Sequence, residues 1–519
     1  MSFNAWAFIA LFLPVTLLGF ALLSGAKQPG LVKLWLIAVS FAFYGWADPA
    51  STVLLGGSIL FNYTLGGLLR RDGRSTVLSR RLLLTIGIAA NLALLGYFKY
   101  RNFFLENLGF SAMSFDEPFS LAVPLGLSFL AFQQIAYLVD TYRGEAQGES
   151  ILDYAVFVTF FPKLIAGPII RQREFIPQLN TPAFGVFTGL GLAEGITLFT
   201  IGLFKKTVLA DNLSPFADSI FGDVAAGMAV NCWQAWGAML AYTFQLYFDF
   251  AGYTDMAIGL GVMFGLQLPA NFNLPYTADS IREFWRRWHM TFSRFLRDYL
   301  YIPLGGSRVG PVRTGVNLLA TMLLGGLWHG AGWTFLIWGA LHGTYLIINH
   351  AWSRLGLQLP RAVAWFLTFV SVAYAWVWFR AESVSAAVRM TSALVKFGDL
   401  LPPSVSTFLQ SVRDLLPMHE YFDVAELLVS LQLVVPIGNS MIYVPHILLS
   451  RPVVMSAWLT LAGLIAFWLP NLFERTSPDL RRPSTPLLAR RAAIMGILLY
   501  LVLINSIEMD QNAFVYLRF

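Results

Sequence analysis

Most of the chain consists of apolar runs about twenty residues long, separated by short polar connections. A transmembrane helix needs about 20 mostly apolar residues, so each run predicts a membrane helix. Because some runs are short or contain polar residues, the pattern predicts one all-α polytopic membrane domain, residues 1–519, with about 11–14 membrane helices. The apolar windows lie near residues 5–24, 31–48, 51–69, 82–98, 119–139, 154–170, 184–204, 230–248, 314–328, 332–349, 361–379, 453–470 and 488–506.

Two parts of the chain depart from this pattern. Residues 249–350 concentrate charged, amide and histidine side chains, and we predict the catalytic core there because polar groups inside a membrane are costly and usually functional. Residues 395–445 are mixed in character and predict an extramembrane or re-entrant excursion. Two G-x-x-x-G pairs favour close helix packing over phosphate loops: Gly191 with Gly195, and Gly261 with Gly265.

The distribution of arginine predicts the orientation of the membrane helices. Five arginines between residues 70 and 81 indicate a cytoplasmic loop, which places the N-terminus and the loop containing Glu106 outside. A second arginine cluster, in residues 475–491, indicates a cytoplasmic last loop, so both termini should face the exterior. No Lys or Arg precedes the apolar run from Ala7 to Leu23, which we interpret as a retained first span rather than a secretory signal.

The composition excludes several classes of protein. The chain is 57% hydrophobic and 12% charged, whereas an ordinary soluble domain is about 25% charged. The net charge of +6 comes from arginines in short clusters between apolar runs, which indicates topology rather than a nucleic-acid partner. With Cys232 as its one cysteine, the chain can form no intramolecular disulfide, cysteine zinc site or iron–sulfur cluster, and we predict no metal site.

Residues 280–299 predict an amphipathic helix that lies in the membrane interface. Ser280 and Glu283 form a Ser-x-x-Glu capping box at its start. His289 falls on the border between the apolar and charged faces, where the helix wheel alone favours an interfacial structural histidine. The neighbouring arginines, Arg286 and Arg287, would attract an anionic donor or, equally, an anionic lipid headgroup.

The strongest candidate for catalysis is His329, which lies between Trp328 and Gly330 in an apolar run. Membrane packing does not require an imidazole there, and a desolvated histidine favours the neutral form that a general base needs. The alternative is a buried histidine bonded to a backbone carbonyl. For His342 and His350 a structural hydrogen bond is the favoured interpretation.

Two carboxylates and two amides precede this run. Asp249 and Asp255 could orient a catalytic histidine or polarise a hydroxyl, or they could cap a helix or pair with an arginine. Their six-residue spacing aims them apart on one helix, unless Gly252 breaks that helix. Asn271 and Asn273 are predicted as turn residues first and ligand contacts second.

Several stretches of the chain resemble the membrane-bound O-acyltransferase (MBOAT) family, in particular its bacterial branch typified by the alginate O-acetyltransferase membrane subunit. The resemblance covers almost the whole chain. It rests on Pro124–Phe129 with Gln133–Arg143, and on Phe161–Pro168, Leu246–Gly259, Glu283–His289 and Gly325–Gly330.

The resemblance implies a ring of membrane helices around a tunnel in which cytoplasmic and exterior funnels meet, with short tilted helices inside. It implies that His329 is the catalytic histidine and His289 a second functional one, which overrides the helix-wheel interpretation. The implied donor is a cytoplasmic thioester, acetyl-CoA or an acyl carrier, with no tightly bound cofactor. Donor or acceptor contacts are then expected at Trp285, Arg286, Arg287, Trp288, Asp249, Asp255, Asn271, Asn273 and Trp328.

The function implied by the resemblance is O-acetylation of an exported polysaccharide, such as alginate, at the bacterial inner membrane. Expected partners are membrane lipid, an exported hydrolase-like acetyltransferase and a polysaccharide biosynthesis complex, without nucleic acid. The absence of a G-x-S-x-G elbow argues against a serine acyl-enzyme within this chain. One alternative is transfer of D-alanine or another acyl group to a cell-wall polymer. Another is a non-catalytic export subunit, which the absence of an internal repeat disfavours.

Overall fold

The computed structural model describes residues 1–26, 28–46, 48–70, 79–109, 123–146, 148–396, 434–437, 440–443, 451–468 and 496–502. Apart from one short β-hairpin, the regular elements of these residues are helices, which confirms the all-α prediction. The hairpin pairs β1, Val434–Ile437, with β2, Ser440–Tyr443, and is the described part of the predicted excursion beyond residue 396. The arginine cluster at 475–491 and most of the basic loop at 70–81 lie outside the described residues.

The N-terminal helices include three with a proline at their first or second position, where proline fits the helical turn. They are α1 (Leu13–Gly25, after a π-helical Ala7–Phe12), α2 (Pro29–Gly45), α3 (Pro49–Arg70), α4 (Arg80–Leu95), α5 (Arg101–Asn107) and α6 (Leu127–Tyr142). A π-helical turn, Gly96–Tyr100, joins α4 to α5 without a break.

The middle of the chain builds the core around α12, Cys232–Met263, nearly all of whose residues are buried. A capping box at Asn231 and Gln234 starts this helix. The preceding helices are α7 (Ile151–Thr159), α8 (Phe161–Leu164), α9 (Gln172–Leu179), α10 (Gly189–Phe204) and α11 (Asp211–Ala225), with a π-helical Lys205–Ala210 between the last two.

The first four of the remaining helices contain residues of the predicted catalytic core, 249–350. The remaining helices are α13 (Ile281–Arg287), α14 (Met290–Leu296), α15 (Pro311–His329), α16 (Trp333–Leu355), α17 (Arg361–Arg380), α18 (Val384–Ala393) and α19 (Arg451–Trp468). A 3-10 turn, Pro275–Thr277, precedes α13, and a π-helical turn, Arg297–Tyr301, follows α14.

The described residues contain 4 helices long and apolar enough to cross a membrane, by length and composition. They are Ala7–Gly25, Pro49–Arg70, Arg80–Asn107 and Arg361–Arg380. The protein is therefore a multi-pass membrane protein. The count of 11–14 spans, the orientation of the termini and the ring with its tunnel stay predictions.

Close packing of α10 against α12 corrects the prediction that Gly252 might break the helix. A Cβ on Gly252 would lie 2.6 Å from Gly202 O, and one on Gly202 would lie 2.5 Å from Gly252 O. Gly195 and Gly259 meet in the same way one contact further along. Gly252 is needed because α10 approaches its backbone, and α12 continues unbroken past it.

The two G-x-x-x-G pairs behave differently from each other. Gly195 packs against α12, so the first pair contributes to helix packing as predicted. The second pair lies at the end of α12, where Gly265 has a φ of +74° and follows the last helical turn. There glycine supplies the left-handed conformation that commonly ends a helix.

Candidate active site

The predicted amphipathic helix is broken at His289, which corrects the expectation of one continuous helix. His289 lies between α13 and α14 with a φ of 41°, in the left-handed region. This conformation costs a non-glycine residue roughly 1–2 kcal/mol, and such strain concentrates at functional sites. The kink turns the imidazole into the interior, where His289 is 1% exposed rather than at the border of two faces. The predicted cap is confirmed, because Ser280 Oγ accepts a hydrogen bond from Glu283 N.

Asn271 holds the kink from the loop that follows α12. Its backbone carbonyl accepts a hydrogen bond from Met290 N at 2.9 Å. Its Oδ1 accepts from Thr291 N and Oγ1, at 3.3 and 2.6 Å, and lies 3.3 Å from His289 Nδ1. An amide oxygen only accepts, so a neutral His289 carries its proton on Nδ1 and presents a lone pair on Nε2.

This geometry gives Asn271 a positioning role that the turn prediction missed. The side chain of Asn271 is fully buried. Asn273 contributes through its backbone, whose N–H donates to Arg287 O at 2.9 Å. The loop from Asn271 to Asn273 therefore braces both ends of the kink.

His329 is the last residue of α15, where α15 meets α16 at unusually close range. A Cβ on Gly326 would lie 2.3 Å from Phe335 O, and one on Gly339 would lie 2.4 Å from Met322 O. Both positions therefore require glycine. The glycines near His329 therefore allow backbone to approach backbone.

Aromatic rings surround His329, which is 6% exposed. We call these four rings the aromatic box; their centroids lie 4.8–5.2 Å from that of the imidazole and belong to Phe292, Trp328, Trp338 and Phe379. Phe292 also lies 4.9 Å from the His289 ring. The structure thus brings both predicted functional histidines, 40 residues apart in the chain, to one aromatic cluster.

Two of the predicted tryptophans position other groups of the cluster. Trp328 stacks between Phe132 and Phe292, and its Nε1 donates to Ser128 O at 3.3 Å. Trp285 Nε1 donates to His342 Nδ1 at 3.3 Å, so a neutral His342 carries its proton on Nε2. This contact agrees with the structural hydrogen bond predicted for His342.

The other candidates of this segment pack or pair on the α13 side of the kink. Trp288 is buried against Phe284 and Tyr276, on the far side of the kink from α14. Arg287 is paired with Glu283 at 2.8 Å, and this hydrogen bond holds the pKa of the Glu283 carboxyl below its usual range. Arg286 has a 69% exposed side chain that lies 3.6 Å from Glu283 and can also meet a headgroup or an anionic donor.

Asp249 and Asp255 each pair with a lysine of the π-helical Lys205–Ala210. Lys206 Nζ lies 2.9 Å from Asp249 and 2.7 Å from Asp211, and both Lys206 and Asp249 are fully buried. Lys205 Nζ lies 2.6 Å from Asp255. The buried-partner interpretation fits both carboxylates, with lysine in place of arginine.

Two residues that the sequence reasoning missed contact the last turn of α15. Lys99 Nζ donates to the carbonyl oxygens of Trp328 and His329 at 2.7 and 2.9 Å. Tyr100 OH donates to Leu327 O at 2.7 Å. A lysine directly after the apolar run 82–98 is the feature that could have identified this site, since ionisable groups in membrane helices are often functional.

The described residues also contain a small cavity and lack a metal site. The cavity, about 130 Å³, is lined by apolar residues of α15 and α16 together with Trp285, Arg297 and Tyr301. Within the part of the chain that the structure describes, no group of three His, Cys, Asp or Glu side chains could hold a metal ion. Cys232 is a buried free thiol.

Comparison with known proteins gives a consistent picture. The model of the membrane-bound O-acyltransferase family matches residues 79–385, which contain His289, His329 and Lys99. The chain is 43% identical to a peptidoglycan O-acetyltransferase of Helicobacter pylori over 453 residues, 81% of this chain and 85% of that protein. It is 45% identical to a probable alginate O-acetylase of Azotobacter vinelandii, over 77% of this chain and 79% of that protein. A teichoic acid D-alanyltransferase of Streptococcus thermophilus is 29% identical over 44% of this chain and 57% of its own length.

Proposed function

The chain belongs to the membrane-bound O-acyltransferase family, and we propose that it moves an acetyl group from cytoplasmic acetyl-CoA across the membrane for O-acetylation of an exported polysaccharide. Family membership and the O-acetyltransferase relatives establish an O-acyltransferase that acts in membranes. The donor, the direction across the inner membrane and the acceptor are the proposed parts. The observation that carries the proposal is the buried His329 at the end of α15, in one aromatic cluster with His289.

In the proposed reaction His329 is the general base. It takes the proton of an acceptor hydroxyl as that oxygen attacks the carbonyl carbon of the thioester. The new C–O bond forms, the C–S bond breaks, and the proton passes to the departing thiolate of coenzyme A. The aromatic box limits access of water, which disfavours hydrolysis of the thioester in place of transfer.

His289 is proposed as the second functional histidine. Asn271 accepts from its Nδ1, so Nε2 is the ring nitrogen with the lone pair in this tautomer, and we propose that it accepts a hydrogen bond from a substrate group. The cavity lined by Trp285 and Arg297 supports donor binding nearby, because it joins apolar walls to a cation. The final acceptor is the polymer itself or a serine of an exported hydrolase-like partner within the polysaccharide biosynthesis complex.

The test follows radiolabelled acetyl from acetyl-CoA in proteoliposomes that contain the protein with candidate polymers and partner. We expect His329→Ala to lower transfer by at least about 10²-fold, the lower bound usual for a general base. His350→Ala, a change of the same kind at the end of α16, is the matched control and should transfer label like the wild type. Equal transfer by wild type and His329→Ala would show that His329 is not the base.

A second acyl group is supported by the similarity to the teichoic acid D-alanyltransferase. If D-alanyl thioester is the donor, label from D-alanine should appear in a cell-wall polymer while label from acetyl-CoA does not. If wild type transfers neither label, a non-catalytic export subunit becomes the better explanation.

A further inference from the structure

The backbone beside His329 is held by two neighbouring side chains of the π-helical turn Gly96–Tyr100. The last four carbonyls of an α-helix have no partner within the helix. In α15, three of these carbonyls, those of residues 327, 328 and 329, accept hydrogen bonds from Lys99 or Tyr100. Lys99 and Tyr100 thus supply hydrogen bonds to the terminal carbonyls of α15, including that of His329.

The chemistry of Lys99 suits this location. A cation is favourable at the negative end of a helix dipole, and charge-assisted hydrogen bonds are shorter and stronger than neutral ones. Its Nζ also lies 3.4 Å from Ser128 Oγ, and the carbonyl of Ser128 accepts from the Trp328 indole. Lys99 therefore ties α15 to the start of α6 as well as to its own helix.

The local structure of the turn is consistent with a special role. π-helical turns are rare and occur frequently at functional sites. This turn interrupts a helix that otherwise runs from Arg80 to Asn107. Further along the same helix, Asn107 Oδ1 accepts from the indole of Trp333, the first residue of α16. Both ends of the glycine-rich connection after His329 are thus anchored to one helix.

We propose that Lys99 is a positioning residue of the acyl transfer, with Tyr100 in support. This inference rests on the proposed function of His329. By fixing the carbonyls of Trp328 and His329, Lys99 sets the direction of the His329 imidazole within the aromatic box. Lys99 does not itself contact the reacting atoms in this role, so its loss should slow the transfer step and leave donor binding unchanged.

The experiment compares Lys99→Met with wild type in proteoliposomes supplied with labelled acetyl-CoA. We expect kcat to fall about 10²-fold, the effect of a displacement of about 1 Å at a catalytic group, and KM for acetyl-CoA to stay within about twofold. Lys99→Arg keeps the charge and the donors, so it should regain at least about tenfold of the lost rate. Arg101→Met removes an exposed cation two residues away, which contacts the Tyr97 ring, and should keep wild-type kcat.

Several results would overturn the proposal. One is a kcat of Lys99→Met within about twofold of wild type, and another is a rise in its KM without a fall in kcat. A third is a kcat of Lys99→Arg no higher than that of Lys99→Met. If Lys99→Met does not fold, Tyr100→Phe is the variant to test. It removes one hydrogen bond to the end of α15 and should lower kcat about threefold to tenfold. An unchanged kcat would contradict the positioning role of Lys99 and Tyr100.

Failure of the proposed function would be recognised separately. In that case wild type transfers no label, and an electron cryo-microscopy structure of Lys99→Met decides the positioning role. A His329 imidazole in its original place would overturn it, and a displaced imidazole would support it.

Discussion

His289 adopts the left-handed backbone conformation, which few residues other than glycine accept. Its left-handed φ is maintained by the loop from Asn271 to Asn273: Asn273 bonds Arg287 before the kink, and Asn271 bonds Thr291 after it. The sequence at Trp288 and His289 does not indicate that the helix breaks there, because neither residue is Gly or Pro. The kink exists because hydrogen bonds from a loop about twenty residues earlier outweigh local helix propensity.

The strain at His289 predicts the relative stability of two variants that both lack the imidazole. His289→Gly removes the steric cost of the left-handed conformation, whereas His289→Ala retains it, at roughly 1–2 kcal/mol. We therefore expect the glycine variant to unfold at the higher temperature in detergent. Equal midpoints, or a higher one for alanine, would mean that the kink relaxes when the imidazole is lost. Both variants should lose acyl transfer if His289 has the second functional role.

Individual residues differ in how far the sequence could identify them. His329 was identifiable because an imidazole in an apolar run has few structural explanations. Asn271 resembled a turn residue because its partners, His289 and Thr291, are distant in sequence. Lys99 lies near the end of an apolar run, where a lysine usually extends to the membrane surface, and its carbonyl partners are 229 and 230 residues away.

At the scale of helices, the apolar pattern predicted which faces are buried but not where helices bend. The apolar face predicted for residues 281–299 is buried from Ile281 to Leu296, and its last member, Tyr299, is partly buried. The helix ends and the unbroken course of α12 depend on tertiary contacts, such as the contact of Gly202 with Gly252. A glycine in a sequence is consistent with either a break or a close approach, and only the neighbouring helix decides.

The buried charges between α12 and the preceding helices predict a large loss of stability in one variant. Lys206→Met leaves Asp249 and Asp211 without their shared cation, and removing one partner of a buried ion pair typically costs about 3–5 kcal/mol. Lys205→Met affects a pair that is more accessible, 16% for Lys205 and 7% for Asp255, so its cost should be smaller. Thermal unfolding in detergent measures both.

The double variant Lys206→Met with Asp249→Asn provides the control. It removes one of the uncompensated carboxylates and should recover part of the lost stability. If Lys206→Met unfolds like the wild type, Asp249 is not held as a structural ion pair. The earlier prediction that Asp249 binds a substrate would then regain support.

At the scale of the whole molecule, two basic residues, Arg80 and Arg143, lie close together at one end of α4 and α6. Arg80, at the start of α4, donates to Tyr142 O, and Arg143 beside it donates to Asp298 O at 3.5 Å. The helix from Arg80 to Asn107 rises about 1.5 Å per residue, so Glu106 lies about 39 Å from Arg80, more than a hydrocarbon core of about 30 Å. Lys99 lies about 28 Å from Arg80 on the same basis.

This geometry predicts that His329 is approached from the exterior side. Position 106 should then face the outside, and position 145, next to the basic end, the cytoplasm. In a Cys232→Ala background, Glu106→Cys should react with a membrane-impermeant maleimide in intact cells, and Glu145→Cys only after permeabilisation. Because Lys99 binds the carbonyl of His329, this labelling would place the acceptor close to the histidine and require the acetyl donor to reach deep into the protein. If Glu145→Cys reacted in intact cells and Glu106→Cys only after permeabilisation, the protein would have the opposite orientation. That result would contradict delivery of acetyl from the cytoplasm.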